Sequence, residues 1–391
     1  MRPSRRVAFA AVFVWGWLLA VPARAGADEA PAHPALAIGA TAPDFDLPGT
    51  DGRRYALKDF ADARVLVVVF STNHCPTAQA YESRIKALDE DYRTKGVRVV
   101  VISPNDPQAV RLDEQGYTDL SDTFDEMKTR AKEHGFAFPY LYDGETQEAT
   151  RRYGPAATPH AFVFDQDRVL RFSGRIDNAE DPSKVKTRET RDAIEALLAG
   201  RAVPVATTKT FGCSIKWAEK RGSVADGLRQ WAGEKVDLQL VDEAGLKEVA
   251  KNGSGKLRLV NVWATWCGPC VTEFGDLVDV NRIYRGRPFE VVSVSADVPE
   301  KSAAVLAFLK EKQASFRNLQ FDKGDPYAMV DAIDPAWQGE LPHSLLIAPG
   351  GKVIWRSEGA FDRLALRKAI VGYIGRYYHS VPGQAELVRV R

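Results

Sequence analysis

Four cysteines, Cys75, Cys213, Cys267 and Cys270, are the residues of this 391-residue chain best suited to do chemistry. Cys267 and Cys270 stand three positions apart in Trp263-Ala264-Thr265-Trp266-Cys267-Gly268-Pro269-Cys270. A strand-like segment, Leu257 to Trp263, precedes them and reads as a buried strand, and a helical pattern follows with Val271, Phe274, Leu277, Val278 and Tyr284 on one face. Two thiols at this spacing can close a disulfide across the first turn of a helix. The first thiol meets unsatisfied backbone N–H groups and the positive end of the helix, which favours its thiolate. Cys267 is therefore the expected attacking nucleophile, and Cys270 the thiol that resolves the mixed disulfide. Zinc binding competes for the same spacing, but zinc takes four ligands and there is no second pair. Inert buried cysteines are the remaining alternative.

A degenerate copy of the arrangement lies at Asn73-His74-Cys75-Pro76-Thr77-Ala78, with Ala78 in the resolving position. A lone thiolate can attack but cannot finish a dithiol cycle by itself. A charged His74 would lower the Cys75 pKa, although adjacent residues often point apart. Copper binding through Cys75 and histidine is weaker, because no second cysteine lies nearby. The six histidines show no H-x-x-x-H spacing. His160 and His343 each follow a proline, either at a shared position beside an active cysteine or as ordinary structural histidines.

The elements that must carry these residues occur twice. In the first half, Ala42 to Leu47 reads as a small strand before a turn at Gly49-Thr50-Asp51-Gly52. Arg64 to Phe70 and Val97 to Ile102 read as strands buried on both faces. Between them runs a helix with Ala78, Tyr81, Ile85, Leu88 and Tyr92 at three- to four-residue steps. Asp113 to Gly135 reads as a charged, mostly helical insertion, its run from Asp119 to His134 solvated. A hairpin at 161–172 and a helix from Arg188 to Leu198 close this half. The second half repeats the order with strands at 257–263 and 289–294, a helix at 303–312, a hairpin at 344–356 and a last helix at 363–378. Cys75 then answers to Cys267, and Thr158-Pro159-His160 to Leu341-Pro342-His343. The pattern predicts an α/β protein of two tandem domains, each a central mixed sheet flanked by helices. Their expected bounds are 36–200 and 236–380, joined by a connecting segment at 201–235 that contains Cys213 and packs largely on the first domain.

The Trp266-Cys267-Gly268-Pro269-Cys270 segment, after a valine-containing strand and before a helix, resembles the thioredoxin superfamily. That resemblance implies a thioredoxin-like fold and a cis-proline opposite the disulfide, here Pro342 after Leu341. Trp266, Leu341 and Pro342 are the implied substrate-binding residues, with Pro159 as the counterpart in the first half. The buried acid of thioredoxin falls at Asn261, whereas Glu273 matches the glutamate of exported thioredoxin-like reductases of the cytochrome-c-maturation type. The match implies a proton relay at Glu273, and a solvated first-turn glutamate is the alternative. The opening Val236-Asp237-Leu238-Gln239-Leu240 departs from that subgroup's Pro-Asp-Phe start.

Ala42-Pro43-Asp44-Phe45-Asp46-Leu47, Cys75-Pro76-Thr77 and Thr158-Pro159-His160 make the first half similar to the peroxiredoxin-like, AhpC/TSA-type redoxin branch. Thr72 keeps the threonine spacing of a peroxidatic site, but its proline position is Val68. The arginine of such a site would be Arg171 or Arg175.

Met1 to Arg6 carries three arginines, followed by an apolar run from Val7 to Ala23 and the small-residue pattern Ala23-Arg24-Ala25. This reads as a signal peptide over 1–25 and a linker over 26–35, with a tail over 381–391. An uncleaved signal would be an N-terminal membrane anchor. Export to a periplasmic or other extracytoplasmic space permits disulfides, and a Cys75–Cys213 disulfide would pair the two cysteines without a local partner. A net charge of +1 gives no electrostatic case for nucleic acid. The chain then reads as an exported thiol–disulfide oxidoreductase with protein disulfides or thiols as substrates, a membrane-bound electron donor as a candidate partner, and no cofactor or metal. The rival readings are a peroxidase, with Cys75 resolved by Cys213 and reduced by the C-terminal domain, or a non-enzymatic first domain that scaffolds the second.

Overall fold

The computed structural model describes residues 33–323 and 326–378. The proposed signal peptide, most of the linker and the tail lie outside the described residues. In chain order the elements of the first half are β1 (Asp46–Pro48), β2 (Arg54–Ala56), β3 (Val65–Phe70), α1 (Pro76–Tyr92), β4 (Val97–Ser103) and α2 (Phe124–His134). Then come β5 (Tyr140–Tyr142), α3 (Glu148–Tyr153), β6 (His160–Phe164), β7 (Leu170–Gly174) and α4 (Glu189–Leu198). The connecting segment carries α5 (Arg221–Ala232). The second half runs through β8 (Gln239–Val241), α6 (Glu243–Lys251), β9 (Leu257–Trp263), α7 (Gly268–Tyr284), β10 (Phe289–Ser295) and α8 (Ser302–Glu311). It ends with β11 (Arg317–Phe321), α9 (Pro326–Ile333), β12 (His343–Ile347), β13 (Val353–Glu358) and α10 (Arg363–Ile374).

Two mixed sheets result, β5-β4-β3-β6-β7 and β13-β12-β9-β10-β11-β8. The strand before each cysteine loop is central: β3 pairs in parallel with β4 and antiparallel with β6, as β9 does with β10 and β12. Alternate side chains of β3 enter different cores. Val65, Val67 and Val69 pack with α1 and α4, while Leu66, Val68 and Phe70 meet Phe45, Leu141, Phe162 and Phe164. Each fully buried valine or leucine contributes roughly 1.5–3 kcal/mol, so the cysteine loops grow from strands buried along their whole length. In β9, Leu257, Leu259 and Trp263 face α7 and α10, and Val260 and Val262 face the opposite layer.

The insertion differs from its sequence reading. Only Phe124–His134 is α-helical, and Asp119, Asp122 and Arg130 are buried rather than solvated. Their charges are met by groups distant in sequence: Asp119 by Arg376 and Arg130, Asp122 by His74, and Arg130 also by Glu82. The segment is the joint between the halves. Tyr284 at the end of α7 donates to the Thr118 carbonyl at 2.7 Å. Arg287 donates to the Gly116 carbonyl at 2.8 Å and stacks over the Tyr117 ring.

The connecting segment is laid over the first domain as a strap. The Ser173 N–H donates to Ala206 and the Thr208 N–H to Ser173, the Thr158 N–H to Cys213, and the Asp106 N–H to Lys216. Its anchors at Ser173, Thr158 and Asn105 lie at one end of the sheet, where β3 and β4 reach their carboxyl ends. That is where open α/β sheets form their ligand crevice.

Candidate functional site

Cys267 is the N-cap of α7, and its sulfur accepts from the Cys270 N–H at 3.3 Å. The two cysteines are joined as a disulfide across the first turn, with Cα atoms 5.3 Å apart. Asp297, after β10, fixes the loop that presents them by accepting from the Thr265 N–H at 2.9 Å and from the Thr265 hydroxyl. Trp266 is 68% exposed beside the nearly buried Cys267. Leu341 is half-buried against the same core as both cysteines, and Pro342 follows it through a cis peptide bond. An apolar rim and a reachable disulfide therefore share one edge.

Behind the disulfide, Glu273 lies three residues past Cys270 on the same face of α7 and is buried rather than solvated. Its carboxylate accepts from Asn261 Nδ2 at 3.0 Å and from the Phe361 N–H at 3.0 Å. Burial pushes its pKa up to about 7, against these two hydrogen bonds. Such a group can hold or release a proton near neutral pH.

The first half places Cys75 in the same way, as the N-cap of α1 with its sulfur accepting from the Ala78 N–H at 3.4 Å. Thr158-Pro159 is also a cis peptide, and the Cys75 thiol lies 3.3 Å from the Thr158 carbonyl oxygen. Cys75 and Cys213 are two free thiols here, not a disulfide. Thr158 joins them: its carbonyl oxygen faces the Cys75 sulfur and its N–H faces the Cys213 carbonyl, and the two thiols influence each other's titration. The Thr158 N–H donates to the Cys213 carbonyl at 2.9 Å, which lays the strap antiparallel to the chain before the cis-proline.

A buried charge network stands behind Cys75. His74 Nδ1 is 2.6 Å from Asp122 Oδ2. Asp122 also accepts from the backbone N–H groups of Asn73 and His74, and from Asn105 Nδ2 at 2.7 Å. Burial lowers the His74 pKa, but the Asp122 carboxylate more than reverses this and raises it above the usual imidazole value. Burial likewise raises the Cys75 pKa, while the neighbouring Cys213 thiol and the His74 charge bring it well below the usual thiol range. The neighbouring Cys75 thiol, together with burial, pushes the Cys213 thiol up. Tyr378, beyond α10, brings its ring to Tyr117 and lies close enough to Cys213 to affect its titration. Asp122 and Tyr378 escaped the sequence reading, because neither has a local partner that marks it.

Other expected groups have different partners. Arg171 pairs with Asp165 and Arg175 with Glu189, so neither carries its charge to Cys75. His160 accepts from the Ala156 N–H at 3.1 Å, lies 2.9 Å from the Ser173 hydroxyl and is pushed down to about 4 by burial. His343 stacks on Trp337. The ordinary structural reading suits both rings better than a position beside a cysteine. Thr72 is buried, and its hydroxyl has no hydrogen-bond partner among the described residues. No group of three His, Cys, Asp or Glu side chains among the described residues is placed to hold a metal.

The two sulfur pairs lie far apart. α7 has 17 residues, about 25 Å at 1.5 Å per residue, and separates Cys267 from the Tyr284–Thr118 contact. α10 runs the same way: its start is beside Glu273, and beyond its end Arg376 meets Asp119 and Tyr378 meets Cys213. Cys75 and Cys213 thus sit past the far ends of both helices.

A model of the AhpC/TSA family matches residues 38–173 and again 233–356. The thiol-disulfide oxidoreductase ResA of Bacillus thuringiensis subsp. konkukian is 31% identical over 126 residues, 32% of this chain and 68% of that protein. The thiol:disulfide interchange protein HelX of Rhodobacter capsulatus is 25% identical over 117 residues, 30% of this chain and 60% of that protein. Among solved structures, a hypothetical protein, SMc02350, from Sinorhizobium meliloti 1021 is 32% identical, covering 47% of this chain and 97% of that one with a TM-score of 0.42.

Proposed function

The chain belongs to the AhpC/TSA family, and from that premise we propose that it is an exported thiol–disulfide oxidoreductase working through Cys267 and Cys270. The observation that carries this reading is the disulfide at the N-terminus of α7, rimmed by Trp266 and backed by buried Glu273. In the reduced enzyme the Cys267 thiolate attacks one sulfur of a protein disulfide. The S–S bond breaks, the departing sulfur takes a proton, and a mixed disulfide remains on Cys267. Glu273 takes the Cys270 proton, the Cys270 thiolate attacks the Cys267 sulfur, and the second substrate thiol leaves. The substrate gains two electrons and the enzyme regains its disulfide. Run backwards, the same steps oxidise a dithiol. A membrane-bound dithiol donor is the proposed source of electrons, and Leu341 and Pro342 the proposed seat of the substrate backbone.

The test is insulin-disulfide reduction with dithiothreitol as donor. Cys267→Ser should lose at least about a hundredfold in rate, Cys270→Ser should accumulate a mixed disulfide, and Cys75→Ser should keep its rate. Full activity in Cys267→Ser would overturn the assignment.

A further inference from the structure

Cys75 and Cys213 do not enter that cycle, and the structure treats them as a unit. One is a cap of α1, with its sulfur 3.3 Å from the Thr158 carbonyl oxygen, and the other is delivered by the strap, which bridges antiparallel to the same Thr158. The strap is anchored on both sides of Cys213: Ala206 and Thr208 bond to Ser173, while Lys216 bonds to Asn105, Asp106 and Gln147. Between the anchors, residues 209–214 are exposed or half-exposed; Phe211 packs against the core beside the Tyr81 ring, and one backbone bond from Thr158 reaches Cys213. Gly212 has φ +137° and lies against the Thr158 carbonyl, where a Cβ would come to 1.9 Å. The strap is thus tied at its flanks by hydrogen bonds and beside its thiol by the Phe211 ring and the bond from Thr158.

We propose that Cys75 and Cys213 form a second thiol–disulfide centre, which exchanges with external disulfides independently of Cys267 and Cys270, and in which Asp122 is a positioning residue for His74. The strap lifts over residues 209–214 to admit a disulfide RS–SR. The Cys75 thiolate attacks one sulfur and RS⁻ leaves, to be protonated to RSH. Cys213 gives up its proton and attacks the Cys75 sulfur, releasing the second RSH. The external disulfide is reduced by two electrons, and Cys75 and Cys213 are oxidised to a disulfide. About 25 Å of helix separates this pair from Cys267, so its partner comes from outside the chain. The charged and titratable groups facing the pair are His74 and Asp122 beside Cys75, Lys216 of the strap and Tyr378 beyond α10.

The test uses the full mature chain with Cys267→Ser and Cys270→Ser, equilibrated across ratios of reduced to oxidised glutathione. After quenching with N-ethylmaleimide, the peptides are mapped by mass. The expected result is one two-electron transition to a Cys75–Cys213 disulfide, its midpoint within about twofold of that in the chain retaining all four cysteines. Cys213→Ser should trap glutathione on Cys75, which covers the case in which the double variant folds poorly. Asp122→Asn should lower the Cys75 alkylation rate at pH 7 about tenfold and move its pH profile upward, with Asp122→Glu partly restoring both. Free thiols at every ratio, a disulfide that forms only when Cys267 and Cys270 are intact, or no adduct in Cys213→Ser would overturn the proposal. The insulin assay reads the other centre, so either reading can fail alone.

Discussion

Asn261 donates its side-chain amide to the Glu273 carboxylate at 3.0 Å, in the layer between β9 and α7 behind the disulfide. The strand therefore offers a neutral donor while the helix carries the ionisable group. Proton chemistry behind this thiol pair depends on how burial treats Glu273.

Burial lifts the Glu273 pKa from 4.5 to about 7, so the folded protein binds a proton there that the unfolded chain has released. Stability should accordingly fall as pH rises from about 4.5 to about 7. Glu273→Gln removes this slope, and its urea midpoint should gain on the wild type between pH 5 and pH 8. Its turnover in insulin reduction at pH 8 should drop by on the order of a hundredfold if Glu273 accepts the Cys270 proton. Equal turnover across pH 6–9 would leave Glu273 with a packing role alone.

The sequence made this half legible because its chemistry is local. Cys267, Cys270 and Glu273 follow one another on the first turns of one helix, and the strand before them is mostly apolar, with Arg258 and Asn261 as its polar residues. The first half was legible only as far as locality reached. Pattern placed β3, α1 and Cys75, but the side chains that set the Cys75 environment come from distant segments. Asp122 reaches His74 across 48 residues, and Tyr378 arrives from the other domain. The mixed charges between Asp119 and His134 read as a solvated helix because the partners of Asp119 and Asp122 lie far away in sequence. Three-dimensional packing supplies Arg376 and His74.

Tyr284 ties α7 to the insertion through the Thr118 carbonyl, and both groups are buried. Tyr284→Phe keeps the ring but leaves that carbonyl without its donor, which costs about 1–3 kcal/mol. The expected outcome is a lower midpoint in urea unfolding, with the disulfide still formed at Cys267 and Cys270. An unchanged midpoint would show that the interface does not depend on this bond.

Arg376 anchors the end of the chain on Asp119. Burial raises the Asp119 pKa, but Arg376 and Arg130 outweigh it and hold the carboxyl well below the carboxylate range. A depressed folded pKa contributes stability that is present above the unfolded value, about 4, and is lost as pH falls towards the folded one. Arg376→Ala should destabilise by ~3 kcal/mol at pH 7, and the deficit should shrink below pH 4, where the wild type loses the same contribution. Urea titrations at pH 7, 4 and 3 measure it. A pH-independent deficit would assign the loss to packing instead.

Gly212 allows the strap to lie against Thr158, so its replacement tests how Cys213 is held. At φ +137° a side chain is strained, and an alanine Cβ would fall 1.9 Å from the Thr158 carbonyl oxygen. Backbone strain of this kind costs on the order of 1–3 kcal/mol. Relief lies in lifting residues 211–214, which breaks the bond from the Thr158 N–H to Cys213. Gly212→Ala should therefore expose Cys75 and separate it from Cys213 while leaving the anchors at Ser173 and Asn105 in place. Iodoacetamide should label Cys75 at least about tenfold faster than in the wild type, and the yield of the Cys75–Cys213 disulfide at a fixed glutathione ratio should fall. Unchanged labelling with an unchanged yield would mean that the strap accommodates the methyl group without releasing Cys213.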